Sequence, residues 1–325
     1  RPPPGFVLSH AVGTTFTLGL DAALAIPLSL AGATAISADD SVGVISAVRR
    51  AIDRIDVFAQ AGYIRLGGAT DLVTVLEPMI HPLVMEKGLF HPKVWFLEFE
   101  AGDERRYRFV CSSRNLTNDR TWDAVISLDG KPAMQPNDRR RNLNHSSASL
   151  LRWLSQPGRT SPRLSADRSA RIERLATSWE SVEWERPEHA RKMRTHVLGI
   201  GVNSAPKPRG TRTLIVSPFV TAEGIQQLRS GENVDTTILS RPEQLDRLSP
   251  VTLTELTTFV LDDFVDRELV GGQSDAASNT ALSGLHAKVV VRDLTKTKSS
   301  LMIGSANATG PAWSANVEVM VEVEG

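Results

Sequence analysis

Apolar and polar positions along the chain fall into two successive series of strand-like and helix-like periods. Residues 14–18 read as a short strand, followed by an Ala- and Leu-rich helix reaching to about residue 38. Val44, Ile45, Val48 and Ile52 give residues 42–54 a helical period, and residues 55–60 continue as a strand. Residues 89–100 are apolar and β-prone, with Val94, Phe96 and Phe99, and residues 107–112 and 124–128 supply two more strands. From residue 137 to 195 the pattern turns helical, with three-to-four spacing over 143–154 and 169–184. The Gly, Asn, Ser and Pro cluster at 199–210 marks a boundary. The alternation then restarts. Strands are predicted at 213–220, 234–239, 285–292, 300–304 and 317–323, helices at 224–228 and 254–266, and an exposed loop at 271–280. This pattern predicts an α/β protein of two lobes, each a mixed β-sheet flanked by helices, related by pseudo-twofold symmetry. The lobes are expected at 1–198, with a helical basic extension at about 138–195, and at 211–325.

Composition sharpens this picture in three places. A chain of 325 residues with 41% hydrophobic and 23% charged residues has the material for two globular cores. Cys111 is the single cysteine, which excludes an intrachain disulfide and a cysteine zinc cage and fits a reducing, cytoplasmic setting. Lys and Arg equal Asp and Glu at 37 each, so global charge does not hold the protein to nucleic acid. Locally the balance differs: residues 138–194 carry 13 Lys and Arg against 7 Asp and Glu. Asp21 and Pro27 interrupt the apolar run at 18–38, which reads as a buried helix and not a membrane anchor. The first residue is Arg1 and the chain stops directly after a predicted strand, so the natural protein is expected to continue.

The halves carry the same chemistry in the same order. The first holds His91-Pro92-Lys93, an apolar strand, Ser113-Arg114-Asn115, and then Asp123. The second holds His286-Ala287-Lys288, an apolar strand, Ser305-Ala306-Asn307, and then Glu318. His and Asn are 24 positions apart in one and 21 in the other. If each His-x-Lys lies on a regular strand, His and Lys project to one face. Two facing copies would make one pocket of two imidazoles, two ammoniums and two carboxamides. Such a set suits a phosphate diester: cations and amides bind the non-bridging oxygens, one imidazole attacks, and the other protonates the leaving oxygen. The chemistry needs neither metal nor cofactor. Asp123 and Glu318 are candidates to fix an imidazole tautomer, but which carboxylate serves which histidine is not legible.

These segments resemble the phospholipase D superfamily, whose signature is His-x-Lys-x4-Asp followed by Gly-Ser-x-Asn, usually twice per active site. The second copy matches throughout, with His286, Lys288, Asp293, Gly304, Ser305 and Asn307. The first has Glu98 for the Asp and Ser112 for the Gly. Variation at that Asp also occurs in the tyrosyl-DNA phosphodiesterase branch. The segments 90–95, 113–117 and 119–123, and Ser217-Pro218-Phe219, are similar to bacterial members near helicases or ATPases in phage-defence loci. The resemblance implies a metal-independent phosphodiesterase working through a phosphohistidine. His91, Lys93, Asn115, His286, Lys288 and Asn307 would be catalytic, with Ser113, Ser305, Asp123 and Glu318 in support. His91 is the expected nucleophile and His286 the expected general acid.

Odd spacing from their lysines turns Glu98 and Asp293 to the opposite strand face, where structural roles are expected. Arg114, Arg120, Arg139, Arg140 and Arg141 are candidate contacts to a polyphosphate backbone. The expected substrate is nucleic acid, most of all DNA, with a helicase or ATPase partner and no membrane association. Alternatives are a phospholipase, a tyrosyl-DNA phosphodiesterase-like repair enzyme, and a non-catalytic nucleic-acid-binding module.

Overall fold

A computed structural model describes residues 1–30, 41–66, 71–135, 138–201, 205–229, 231, 234–261 and 283–325. The chain divides into two compact units. The first comprises Arg1–Val110, Asn115–Thr117 and Ser127–Arg186, and the second Cys111–Arg114, Asn118–Ile126 and Pro187–Gly325.

In chain order the first half contributes β1 (Val7–Thr15), β2 (Leu18–Gly19), α1 (Leu20–Leu30), α2 (Ser41–Ile52), β3 (Ile55–Gln60), β4 (Ile64–Arg65) and β5 (Ile80–Leu83). It continues with β6 (Val94–Ala101), β7 (Glu104–Ser112), β8 (Arg120–Trp122), β9 (Val125–Pro132), α3 (Asp138–Ser155), α4 (Ala166–Trp179) and β10 (Val182–Trp184). Seven of these strands form one sheet in the order β10-β9-β7-β6-β1-β3-β5. β1 pairs parallel with β3 and antiparallel with β6. A parallel neighbour requires a crossover, and α1 and α2 provide it. Leu20, Ala23, Ile26 and Ile52 from these helices pack on Ala11, Ile55 and Val57 of the sheet. Gly13 has no room for a side chain, because a Cβ there would lie 2.6 Å from the Trp95 ring. α4 is capped by Ser165, whose hydroxyl accepts from Arg168 N at 3.3 Å. Its buried Trp179 meets Phe96 edge-on at 4.9 Å and Trp184 at 4.8 Å.

The second half contributes β11 (Lys192–Leu198), β12 (Arg212–Val216), α5 (Ala222–Leu228), β13 (Asp235–Leu239), α6 (Pro242–Leu245), α7 (Pro250–Thr254) and β14 (Thr257–Phe259). β15 (Ser283–Leu285), β16 (Val289–Thr295), β17 (Lys298–Gly304), α8 (Gly310–Ser314) and β18 (Glu318–Glu324) complete it. Its sheet runs β11-β18-β17-β16-β12-β13-β14. Apart from the outer strand β11, which precedes the others in the chain whereas β10 follows its own, this is the first sheet's arrangement, again with a parallel pair (β12, β13) beside an antiparallel one (β12, β16). β8 and β15 form a separate parallel ribbon within the second unit.

The mixed sheets and flanking helices agree with the fold class read from the sequence. Four local expectations do not hold. Residues 192–198, placed in a helical extension of the first lobe, are strand β11 of the second sheet. There Lys192 and Arg194 stand opposite Glu324 and Glu322, so cross-strand charge pairs sustain a strand that carries few apolar residues. The segment 187–198 thereby falls in the second unit, and the Gly-rich cluster after it is a connection between β11 and β12. The helix expected over 254–266 gives way at β14, where Thr257, Thr258 and Phe259 suit an edge strand. The helix expected over 169–184 ends at Trp179, and residues 182–184 form β10.

The expected loop at 271–280 lies outside the described residues, as does part of the apolar run at 18–38. Among the described residues no helix is long and apolar enough to cross a membrane.

Candidate active site

The fourth difference concerns the two His-x-Lys segments. Neither lies on a strand: His91–Lys93 directly precede β6, and His286–Lys288 fill the gap between β15 and β16. The strand argument for their facing is therefore replaced by a direct bond. Lys93 Nζ donates to the carbonyl of His91 at 2.7 Å, and Lys288 Nζ donates to the carbonyl of His286 at 2.7 Å. Each lysine folds back beneath its histidine and is buried, with 2% and 1% exposure respectively. A lysine so placed is held by its own turn, and its charge is kept out of bulk water.

The Ser-x-Asn segments follow the ends of β7 and β17. Ser113 Oγ donates to Asp123 Oδ1 at 2.8 Å and accepts from Ala124 N at 2.9 Å. Ser305 Oγ donates to Glu318 Oε2 and accepts from Val319 N at 3.0 Å. In both cases one buried hydroxyl fixes a carboxylate through its side chain and through the next backbone amide. Asn115 Oδ1 accepts from Thr17 N at 3.4 Å, and the Asn307 carbonyl accepts from Trp313 Nε1 at 2.8 Å.

One pairing left open by the sequence is now decided. His286 Nδ1 lies 2.8 Å from Asp123 Oδ1, a contact across 163 positions but within the second unit. The ribbon explains it: β8 brings Asp123 beside β15, and His286 N donates to Trp122 O at 2.9 Å. The bond to the carboxylate orients the imidazole through Nδ1. Burial alone would push the Asp123 carboxyl up. Hydrogen bonds from His286, Thr121 and Ser113 outweigh burial and bring it down to about 2. Burial pulls the Lys288 ammonium down to about 7, although Asp123 and Glu318 favour its charge.

No family model matches the chain, and no curated protein matches it. Solved structures do. Yeast tyrosyl-DNA phosphodiesterase superposes with a TM-score of 0.51 at 12% identity, covering 97% of this chain and 82% of that one. A histidine-to-asparagine variant of the yeast enzyme gives 0.53 at 12% identity, covering 97% and 84%. The chain shares the two-lobed fold of that enzyme. NucT from Helicobacter pylori aligns with 41% of this chain and 84% of its own at 18% identity, with a TM-score of 0.26, too low to bear on the fold.

Within this fold, the remaining candidates divide by what they touch. Glu98 accepts from the Tyr107 hydroxyl at 3.2 Å, and Asp293 pairs with Arg212 at 2.7 Å, so both brace neighbouring strands. Arg114 is bound to the Asp119 carbonyl and lies 3.6 Å from Asp123, which makes it a brace for that carboxylate. Arg120 is exposed on β8. Arg139, Arg140 and Arg141 open α3, and Arg141 is exposed; the side chains of Arg139 and Arg140 are outside the described residues. Cys111 is buried, and its thiol donates to the Val319 carbonyl at 3.9 Å. Among the described residues no group of three His, Cys, Asp or Glu is placed to hold a metal ion.

Sequence reasoning missed two hydroxyls that hold the asparagine loops. Thr15 Oγ1 donates to Thr17 O at 2.7 Å and accepts from Leu116 N at 3.0 Å. Ser217 Oγ donates to Phe219 O at 2.7 Å and accepts from Ala308 N at 3.0 Å. Leu116 and Ala308 each follow the motif asparagine, so the same clip recurs in both halves. Aligning the halves further upstream, on the ends of the strands that became β1 and β12, carries the signal.

Proposed function

We propose that the protein is a phosphodiesterase acting on nucleic acid through a phosphohistidine. The observation that supports this best is the duplicated construction: in each half of the sequence, a buried lysine bonded to its own histidine carbonyl and a carboxylate anchored by the motif serine. In this reading a ring nitrogen of His91 attacks phosphorus. As the bond to the leaving oxygen breaks, His286 Nε2 gives that oxygen its proton. Asp123 steadies the imidazolium before that transfer. Lys93, Lys288, Asn115 and Asn307 donate to the non-bridging oxygens, whose charge grows in the transition state. Water then attacks the phosphohistidine, His286 takes its proton, and His91 is released. No step requires a metal.

The similarity to yeast tyrosyl-DNA phosphodiesterase favours DNA over lipid and adds a second reading, removal of a tyrosyl group from a DNA end. The basic start of α3 would follow the phosphate backbone. A role in phage defence beside a helicase or ATPase extends the motif resemblance.

The test is turnover in excess EDTA on DNA, RNA, a tyrosyl-DNA end and phosphatidylcholine, with His91→Ala and His286→Ala as controls. Hydrolysis of nucleic acid is expected to persist in EDTA and to vanish with His91→Ala, together with the phosphohistidine seen by mass spectrometry. His286→Ala is expected to spare p-nitrophenolate esters far more than DNA, because that leaving group needs little protonation. Full activity in both variants would remove the catalytic reading.

A further inference from the structure

We propose that Phe16 and Tyr63 form a stacking platform beside His91 for an unpaired nucleobase, making the substrate single-stranded nucleic acid. The inference rests on the phosphodiesterase reading and names its substrate class.

The observations lie in the first unit. The Phe16 ring is 5.2 Å from the His91 imidazole at an interplanar angle of 58°. Its other neighbour is the Tyr63 ring, 4.2 Å away at 39°. Lys93 Nζ lies 5.8 Å from the centre of the Phe16 ring. Three rings thus run from the candidate nucleophile outward to solvent, where Tyr63 is 44% exposed. Neither Phe16 nor Tyr63 belongs to the hydrophobic core beneath them, which takes Leu18 and Ile64 instead. Exposed Arg65 and Leu66 extend the same surface.

The platform is held in place before any ligand arrives. Tyr63 N donates to Gln60 O at 3.1 Å, and Leu18 N donates to Tyr63 O at 3.0 Å. β2 pairs with β4 on either side of the two rings. The Gln60 side chain accepts from Phe90 N at 2.8 Å, which ties this turn to the residue preceding His91. Rings fixed in this way lose little entropy on binding.

A base fits this surface for geometric and chemical reasons. It offers a flat π-face of ring size, and its sugar joins it to a phosphate about one ring away, where His91 and Lys93 sit. Stacking on aromatic side chains is the general means of holding unpaired bases. In a duplex both faces of a base are already covered, and exposing one means extruding it. A lipid diester has no ring to place there.

Two measurements test the platform. The first compares kcat/KM for a deoxyadenosine dinucleotide and the same diester lacking one base. The intact protein is expected to favour the base-bearing diester by about 10- to 100-fold. Tyr63→Ala should bring that ratio near unity while leaving the abasic diester's rate unchanged, and Tyr63→Trp should restore it. The second titrates a single-stranded phosphorothioate oligonucleotide containing 2-aminopurine. Its fluorescence is expected to be quenched by the intact protein and by Tyr63→Trp but not by Tyr63→Ala. A base-to-abasic ratio unchanged in Tyr63→Ala, equal loss on both diesters, or unaltered quenching would overturn the proposal. If neither diester is hydrolysed, the phosphodiesterase reading fails, and the quenching alone still decides the platform.

Discussion

The two sheets share the order of six strands, β9-β7-β6-β1-β3-β5 and β18-β17-β16-β12-β13-β14, and treat one position in opposite ways. Asp56 pairs with Val12, three residues before the clip residue Thr15. Its counterpart, Thr237, pairs with Leu214, three residues before Ser217. Asp56 is fully buried and receives His10 at 2.9 Å, His81 at 2.7 Å and Arg168 at 2.6 Å. Arg168 comes from α4, part of the helical pair inserted between β9 and β10. In the second sheet the strand in the place of β10 is β11, which precedes β12 in the chain. At the position of His81 the second sheet has Phe259, which is exposed on the edge strand β14. The inserted helices therefore convert an open sheet edge into a buried ionic centre. Both halves have an apolar core, and the half that carries His91 adds this buried ionic centre to it.

The largest test breaks this difference. Asp56→Asn leaves the Arg168 guanidinium buried without its carboxylate and is expected to cost about 3–5 kcal/mol. Thr237→Val should change stability by less than about 0.5 kcal/mol. Urea unfolding of both variants checks the pair; equal effects would mean that the ionic centre does not distinguish the halves. Burial opposes ionisation of Asp56, but His10, His81 and Arg168 outweigh it and hold its carboxyl well below the usual range. The sign follows. The stabilisation is complete above the unfolded carboxylate value near pH 4 and is lost as the pH falls below it. Asp56→Asn should remove that loss from the acid limb of the stability curve.

The next test addresses the sites. Asp123→Asn removes the charge that steadies a protonated His286, and general acids contribute about 10²–10⁴ in rate. The variant is expected to lose about 10²-fold in kcat/KM on DNA, and its pH profile should lose the basic side first. An equal loss on a p-nitrophenyl ester, which needs little acid, would assign Asp123 to folding instead.

The smallest effect concerns Lys288. Because burial holds it near 7, a share of the free protein at pH 7.5 carries it neutral, and a bound oxyanion restores its proton. Calorimetry of vanadate binding in buffers of different ionisation enthalpy should show net proton uptake near pH 7.5, fading below about pH 6. The uptake should disappear in Lys288→Met.

Much of the framework was legible because it depends on local pattern. Residues 55–60 alternate and lead from a helix, and β3 spans those same residues. The order of the motifs survived too, since each Ser-x-Asn follows a strand end. What failed or stayed open depends on partners far along the chain. Lys192 and Arg194 look helical until Glu324 and Glu322 stand opposite them. His91 and Lys93 alternate in the sequence, but a side-chain bond to a carbonyl sets their geometry. The Asp123–His286 pair spans 163 positions, and only the β8–β15 ribbon brings it together.

That ribbon also sets an order in time. A ribosome adding about 5–20 residues per second finishes Asp123 roughly 10–30 s before it reaches His286. During that interval the carboxylate and its serine are already made, but the imidazole they serve does not yet exist. A chain stalled or cut anywhere in the interval carries one His-x-Lys set and an Asp123 without its histidine. Completion of this pair waits for the second half of the motif series, however early the first sheet folds.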